Sequence, residues 1–533
     1  MSTTEILVLL LGVIAAVAVI AIRLQIPIAI PLVVTGVVLA VIPGLPHVEM
    51  APEFVLLIVL PPVIYSSSVA MSWREFRFNL RPISLLAVGC VVFTTITTAA
   101  AAHWLLGFPW AVGFVLGAIV SPPDAVAPLA VARRLGLPQR LMVVLEGEGL
   151  ANDATALILY RFAVAAVSMG VFSLGKAAAM FTAIVAGEIV WGIAIGWLML
   201  RLRRWVRDPR IELTLSIVTP FAAFWPPQHL GGSGVLATVT AGLYISWNGL
   251  RLISAPTRLQ GIFFWDFLIY LIEGMVFLIT GLQARTLIEG IDGYSMSRLL
   301  ASAATICAVV IVTRFVWVYP AIYLPRWLVP AIARDDPAPP WQFPFLLSFT
   351  GIRGIVSLAA ALAIPLTIAN GEPFPGRDLI LFLTYCVILV TLVGQGLLMP
   401  AVVRVLGLAN AGRRERHDDR IAEFDARRSA IQAALQRIDD LLHEQQLPED
   451  VAARFRAGHL DRLRHVEHRS NEDQARRALV ERHDQVEFLL LEAERDRINE
   501  LYRDGKLKDE ARRRIERELD LRHAHLTNLR AEE

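Results

Sequence analysis

The sequence predicts an all-α polytopic membrane protein of about 13 transmembrane helices, some broken at mid-membrane, followed by a soluble helical C-terminal tail. Three observations predict it. Apolar residues make up 55% of the 533 positions, with a mean hydropathy of +0.55, more apolar length than one cytosolic core absorbs. Charge is segregated: the first 410 residues hold 24 basic and 19 acidic side chains, the last 123 hold 26 and 29. Finally, two of the apolar runs are interrupted in their middle by proline or glycine next to a charge.

Crossing a bilayer takes about 20 apolar residues. Candidate segments fall at roughly 4–22, 27–43, 53–70, 82–106, 109–132, 140–168, 173–200, 211–227, 232–247, 260–283, 297–325, 342–366 and 378–406. Met1 to Glu5 carry no basic residue, so the first run is expected to be a span and not a cleaved signal. With thirteen crossings, 16 basic loop residues fall on one side, the densest group being Arg201–Arg210, and 4 fall on the other: Lys176, Arg285, Arg298 and Arg377. Basic loops favour the cytoplasm, so the N-terminus is expected outside and the tail inside. Trp73, Trp104, Trp110, Trp265 and Trp341 fall near segment ends, as an interfacial belt requires. The scarcity of lysine beside abundant arginine suggests a G+C-rich bacterial genome, hence a bacterial inner membrane.

The boundary is placed at 408, with a transmembrane domain over 1–408 and a cytosolic charged helical tail over 409–533. The tail has helical spacing and few breakers apart from Pro448 and Gly458. Its arginines are interleaved with acids that cancel the field, which argues against nucleic acid as a partner. Eight histidines lie there: His417, His443, His459, His465, His468, His483, His523 and His525. They admit a pH sensor, but the solvated polar faces of surface helices are the stronger account of them. Cys90, Cys307 and Cys386 sit far apart in apolar runs and read as core packing, with no cofactor or disulfide implied.

Charges inside spans are costly and mark function or pairing. Ser121-Pro122-Pro123-Asp124 falls in the middle of the fifth run. Two consecutive prolines end a helix, and unwound backbone at that depth is tolerated only where it is buried or lines a cavity. Freed carbonyls at such breaks hold cations, which makes Asp124 and the backbone of Ser121 and Pro123 candidate ligands. In the sixth run, Glu146-Gly-Glu148-Gly-Leu-Ala-Asn152-Asp153 puts Glu148 and Asn152 one turn apart with Asp153 beside them. Monovalent cations take oxygen ligands, and a carboxylate in a part-dry cavity holds either a proton or a cation. Glu146 reads as a bystander near the helix start. In the twelfth run, Gly351-Ile-Arg353-Gly354 brings an arginine that needs a partner, for which Glu148 is the natural candidate. Glu273 and Arg314, on consecutive spans, are expected to neutralise each other.

At these three clusters the chain resembles the first branch of the monovalent cation–proton antiporter family, the bacterial sodium–proton exchanger type. The motifs stand as SPPDAVAP, EGEGLANDATAL and GIRGIVSLAAAL, supported by LPPVIY at 60–65 and EGMVFLITGLQ at 273–283. The resemblance covers about residues 5–408. It implies two inverted six-helix repeats, 1–6 against 8–13, whose broken fifth and twelfth spans cross as repeat mates, a core and a dimerisation bundle, a homodimer, and elevator-like alternating access. It further implies that Asp153 is the ion- and proton-binding carboxylate, Asp124 its neighbour on the broken helix, Asn152 the mark of the electroneutral branch, and Glu148 with Arg353 a buried ion pair. Four positions depart from the family pattern: Gly149 stands for a serine, Pro123 and Ala125 flank the aspartate where Thr and Pro are usual, and Ser66 replaces an acid.

The expected activity is therefore exchange of Na+, with Li+ as a further substrate, for H+, and no enzyme activity. A K+/H+ antiporter is the nearest alternative, a passive cation channel a more distant one. An intramembrane aspartyl protease would use two aspartates as an acid–base dyad, but Asp153 follows Leu150-Ala151-Asn152 and lacks the Gly-x-Gly-Asp that such a protease carries.

Overall fold

The computed structural model describes residues 3–42, 51–169, 173–206, 208–249, 252–289, 295–369, 371–444, 446–470, 474–504 and 506–531. Arg207 and Arg251 of the basic loops lie outside them, as do the side chains of His465, His468, His483 and His525. The chain forms two compact units, Met1–Arg413 and Arg414–Glu533.

Helix lies over each apolar segment read from the sequence: α1 (Thr3–Leu24), α2 (Ala29–Val41), α3 (Pro52–Ala70), α4 (Leu80–Leu106), the pair α5 (Trp110–Val120) and α6 (Val126–Leu135), α7 (Gln139–Met169), α8 (Leu174–Arg203), α9 (Pro209–His229), α10 (Val235–Asn248), α11 (Ala255–Leu282), α12 (Met296–Leu328), the pair α13 (Gln342–Phe349) and α14 (Ile355–Leu362), and α15 (Arg377–Leu406). Among the described residues eight stretches, over α1, α3, α4, α7, α8, α11, α12 and α15, are long and apolar enough to cross a membrane, and no strand forms. Many of their large apolar side chains, such as Val8, Val190, Phe263 and Val312, are exposed. In lipid such a face needs no protein partner.

Proline shapes the helices. Pro122 and Pro123 remove two adjacent donors, and the helix stops at Val120 and restarts at Val126. The second pair breaks over 350–354, where Gly354 takes an extended backbone. Wide i→i+5 turns over Val55–Val59 and Val390–Gln395 loosen α3 and α15 near these breaks, and such bulges cluster at functional sites. One intramembrane charge is explained by capping. Glu188 of α8 is buried and accepts hydrogen bonds from the backbone N–H groups of Ser233 (2.5 Å), Gly234 (3.0 Å) and Leu236 (3.0 Å), closing the N-terminus of α10. Trp265 departs from the interfacial reading: it lies well inside α11, donates to Ser216 Oγ at 2.9 Å and packs on Tyr65 at 5.2 Å.

The second unit is two antiparallel helical hairpins. α16 (Leu408–His443), whose first turns belong to the first unit, pairs with α17 (Glu449–Ser470) through Arg456–Asp439 and Arg428–Glu467. α18 (Gln474–Arg503) pairs with α19 (Asp509–Ala531) through Arg495–Asp520 at 2.6 Å and an apolar seam of Leu491, Ile515, Leu519 and Leu526. The two turns match bond for bond: Gln446 and Lys506 each donate to the leucine carbonyl five residues back.

Candidate functional site

The two broken pairs meet at their breaks. The Asp124 N–H donates to the Ile352 carbonyl at 2.6 Å, joining the first break to the second. Asp124 Oδ1 accepts from the Val126 N–H at 2.9 Å and so caps α6. Its Oδ2 lies directly on Gly354: a Cβ added there would sit 1.8 Å from that oxygen. Gly354 is thus required by close approach, and the sequence pattern Gly-x-Arg-Gly has a steric reason.

α7 brings the remaining polar groups. Asn152, fully buried, donates from Nδ2 to the Pro123 carbonyl at 2.6 Å. Because a carbonyl can only accept, this bond fixes the amide's orientation and leaves Asn152 Oδ1 buried with no donor. The Asp153 carboxylate, on the next residue, interacts electrostatically with Asp124. Among the described residues no arginine or lysine pairs with either aspartate. Two carboxylates and an orphaned amide oxygen therefore lie in one stretch of the chain beside the two breaks, oxygen groups of the kind that suit a hard monovalent cation. Gly149, one turn before Asp153, packs on the first break, where a Cβ would sit 2.6 Å from Ala125 Cβ.

The backbone ligands read from the sequence are engaged differently. Pro123 O holds the Asn152 amide, as above. Ser121 O is turned toward the Arg353 guanidinium at 3.5 Å and Ser121 Oγ donates back to Ala118 O at 3.1 Å. A carbonyl facing a guanidinium is a poorer cation ligand than a free one.

The expected ion pair is corrected too. Glu148 does not pair with Arg353. Its two oxygens accept from Arg314 of α12, Nη1 to Oε1 at 2.5 Å and Nη2 to Oε2 at 2.7 Å, with both side chains buried. Arg314 also caps α13 through Nε to Leu347 O at 2.9 Å. This overturns the Glu273–Arg314 pairing as well, since both Nη atoms of Arg314 go to Glu148 and its Nε to Leu347 O. Arg353 instead closes the C-terminal end of the half-helix α5: Nε donates to Val120 O at 2.9 Å, Nη1 bonds Gly351 O, and its own N–H donates to Thr391 Oγ1 at 2.9 Å. The physical reason is the division of labour between two arginines separated only by Gly351, whose missing side chain admits both. The one reaching from α12 presents its fork to the carboxylate, while the one on the break satisfies the carbonyls that the broken helix orphans. Arg314's role was legible only as a charge in a span, because sequence does not say which of two buried arginines a carboxylate meets.

The profile described as "Sodium/hydrogen exchanger, transmembrane" matches residues 6–405. An uncharacterised Na(+)/H(+) exchanger of Mycobacterium tuberculosis is 34% identical over 502 residues, covering 93% of this chain and 91% of the relative. The sodium, potassium, lithium and rubidium/H(+) antiporter of Bacillus subtilis is 32% identical over 79% of this chain and 63% of its own length, and the Na(+)/H(+) antiporter ApNhaP of Aphanothece halophytica is 30% identical over 91% and 89%. In fold, the chain is similar to the sodium proton antiporter MjNhaP1 of Methanocaldococcus jannaschii at a TM-score of 0.60 and 18% identity, over 76% of this chain and 98% of that one.

Proposed function

Because the chain belongs to the sodium/hydrogen exchanger family of transmembrane cation–proton antiporters, we propose that it exchanges Na+ for H+ at the meeting of its two helix breaks. The observation that carries this reading is the unpaired Asp124–Asp153 couple beside the buried, unpartnered Asn152 Oδ1. In this reading Asp153 and Asp124 hold the cation with Asn152 Oδ1 and the second lone pair of Pro123 O, and protons displace it by neutralising the carboxylates. A carboxylate holds a proton or a cation, and that competition couples the two fluxes. Glu148–Arg314 and Arg353 keep the broken ends in place, so that the site is preformed on rigid supports.

The finer architecture follows the family. The segments make thirteen crossings in two inverted repeats, the broken pairs being repeat mates, with the N-terminus outside and the tail in the cytoplasm of a bacterium. The protein works as a homodimer by alternating access, its transport domain ending near residue 408. Asn152, in place of a third acid, keeps exchange electroneutral. A broader cation range including K+ is the second reading. It is supported by the Bacillus relative, named for sodium, potassium, lithium and rubidium, and by Gly149, which brings no hydroxyl to the site. Proton flux in proteoliposomes under opposed gradients of Na+, Li+, K+ and Rb+ separates these readings. Sodium exchange insensitive to membrane potential supports the first. Equal rates with K+ favour the second, and cation flux without proton movement contradicts both.

A further inference from the structure

Away from the two helix breaks, three arginines from three helices converge on one carboxylate. Asp336 Oδ2 accepts from Arg81 at 2.5 Å and Arg326 at 2.6 Å, and Oδ1 accepts from Arg140 at 2.7 Å. One negative charge cannot neutralise three guanidiniums, and the neighbouring Arg334 and Asp335 add one charge of each sign and leave the balance unchanged. The excess is accessible: the Arg81 and Arg140 side chains remain 31% and 35% exposed, whereas Arg326 is buried and also bonded to the Asp336 and Ile322 carbonyls.

Arg326 is at the same time one wall of an open groove of about 740 Å³ with an almost wholly apolar lining, formed by Tyr319, Tyr323, Leu324 and Trp327 on the last turns of α12 with Ala333 and Ala338 beside them. The tyrosine hydroxyls are committed to backbone outside the lining: Tyr323 donates to Pro339 O at 3.1 Å and Tyr319 to Trp341 O at 3.5 Å. Their rings and Leu324 therefore form the inner surface, and Leu324 and Trp327 are exposed at the end of a helix apolar enough to span a membrane. An apolar groove at the membrane boundary, opening beside an uncompensated cluster of arginines, has the two halves of a phospholipid in the right order.

We infer that this groove is a site for one anionic phospholipid, with an acyl chain along Tyr319, Tyr323 and Trp327 and the phosphate at Arg81 and Arg140. A zwitterionic lipid fills the apolar half but gives no net charge to the arginines. Each basic group near an anionic headgroup contributes enough for about fivefold in affinity.

The test uses the full-length purified protein in detergent, titrated with phosphatidylglycerol, phosphatidylcholine or glycerol 3-phosphate, with retained lipid counted by native mass spectrometry. Phosphatidylglycerol is expected to be retained at one site well above phosphatidylcholine. The variant Arg81→Gln/Arg140→Gln should lose about 25-fold of that preference. Ala338→Trp, which fills the groove without altering charge, should lower retention of both lipids. Both variants should keep cation–proton exchange, since neither position touches the two helix breaks. Equal retention of the two lipids, or a preference that survives Arg81→Gln/Arg140→Gln, overturns the assignment. Competition by glycerol 3-phosphate as effective as the whole lipid also overturns it, because the groove would then play no part. If the double variant does not fold, wild-type retention and Ala338→Trp decide alone.

Discussion

Glu148 and Arg314 form a two-point ion pair, at 2.5 and 2.7 Å, buried between α7 and α12 beside the two helix breaks. Removing one partner of such a pair strands a charge and costs about 3–5 kcal/mol. Glu148→Ala and Arg314→Ala should each lower the melting temperature in detergent, and the double variant should be less impaired than the two effects added. The same cycle with Arg353→Ala should show weaker coupling to Glu148. Stronger coupling to Arg353 would restore the pairing read from sequence.

Gly354 carries no side chain because Asp124 Oδ2 occupies that space. Gly354→Ala must push the carboxylate by on the order of 1 Å, a displacement that costs about 100-fold in organised sites. Proteoliposome exchange should fall by that order, while assembly and detergent stability change little. Unaltered exchange would place Asp124 elsewhere.

Gly149→Ser alone should weaken exchange, because its Cβ meets Ala125 Cβ at 2.6 Å. Gly149 and Ala125, two of the departures from the family pattern, pack on each other, so they are to be changed together. Gly149→Ser with Ala125→Gly should recover activity and lower the apparent KM for Na+ relative to K+. An unchanged ion preference in the active double variant would show that residue 149 does not face the cation.

Much of this was legible in the sequence, and the failures share a cause. Apolar runs of helix length and the Pro122-Pro123 and Gly351–Gly354 interruptions act locally, so helices and breaks fall where residue properties put them. The partner of Glu148 does not follow locally: it depends on which helix presents a guanidinium with free donors, and Arg353 spends its own on Val120, Ser121 and Gly351. The contacts Gly149–Ala125 and Gly354–Asp124 are invisible as motifs, because they arise only when α7 and the second break pack on the first.

Asp336 supplies a pH dependence. Burial pulls its pKa up, but hydrogen bonds and charges from Arg140 and Arg326 outweigh it and hold the carboxyl below the usual carboxylate range. A depressed folded value means stability present above the unfolded pKa of about 3.9 and lost as pH falls through the folded one. Asp336→Asn should therefore lower the melting temperature equally at pH 7 and pH 5.5, with the deficit shrinking below about pH 4. A deficit that grows on acidification would contradict the assignment.

Removing Arg414–Glu533, a compact unit by itself, should leave exchange intact, since Asp124, Asn152 and Asp153 all lie before it. A shift or flattening of the exchange pH profile would assign sensing to its histidines. Of these, His459 bonds the Phe455 carbonyl and His523 packs on Phe488. A folded truncate inactive at every pH would put the tail in the transport machine.

The most direct test of the central claim is Asp153→Asn, measured as Na+-driven proton flux in proteoliposomes with 22Na+ uptake in the same vesicles. Loss of both fluxes in a protein that inserts and keeps its wild-type melting temperature is the predicted result. Exchange at the wild-type rate would contradict the account, because the unpaired Asp124–Asp153 couple would then not be the place where proton and cation compete.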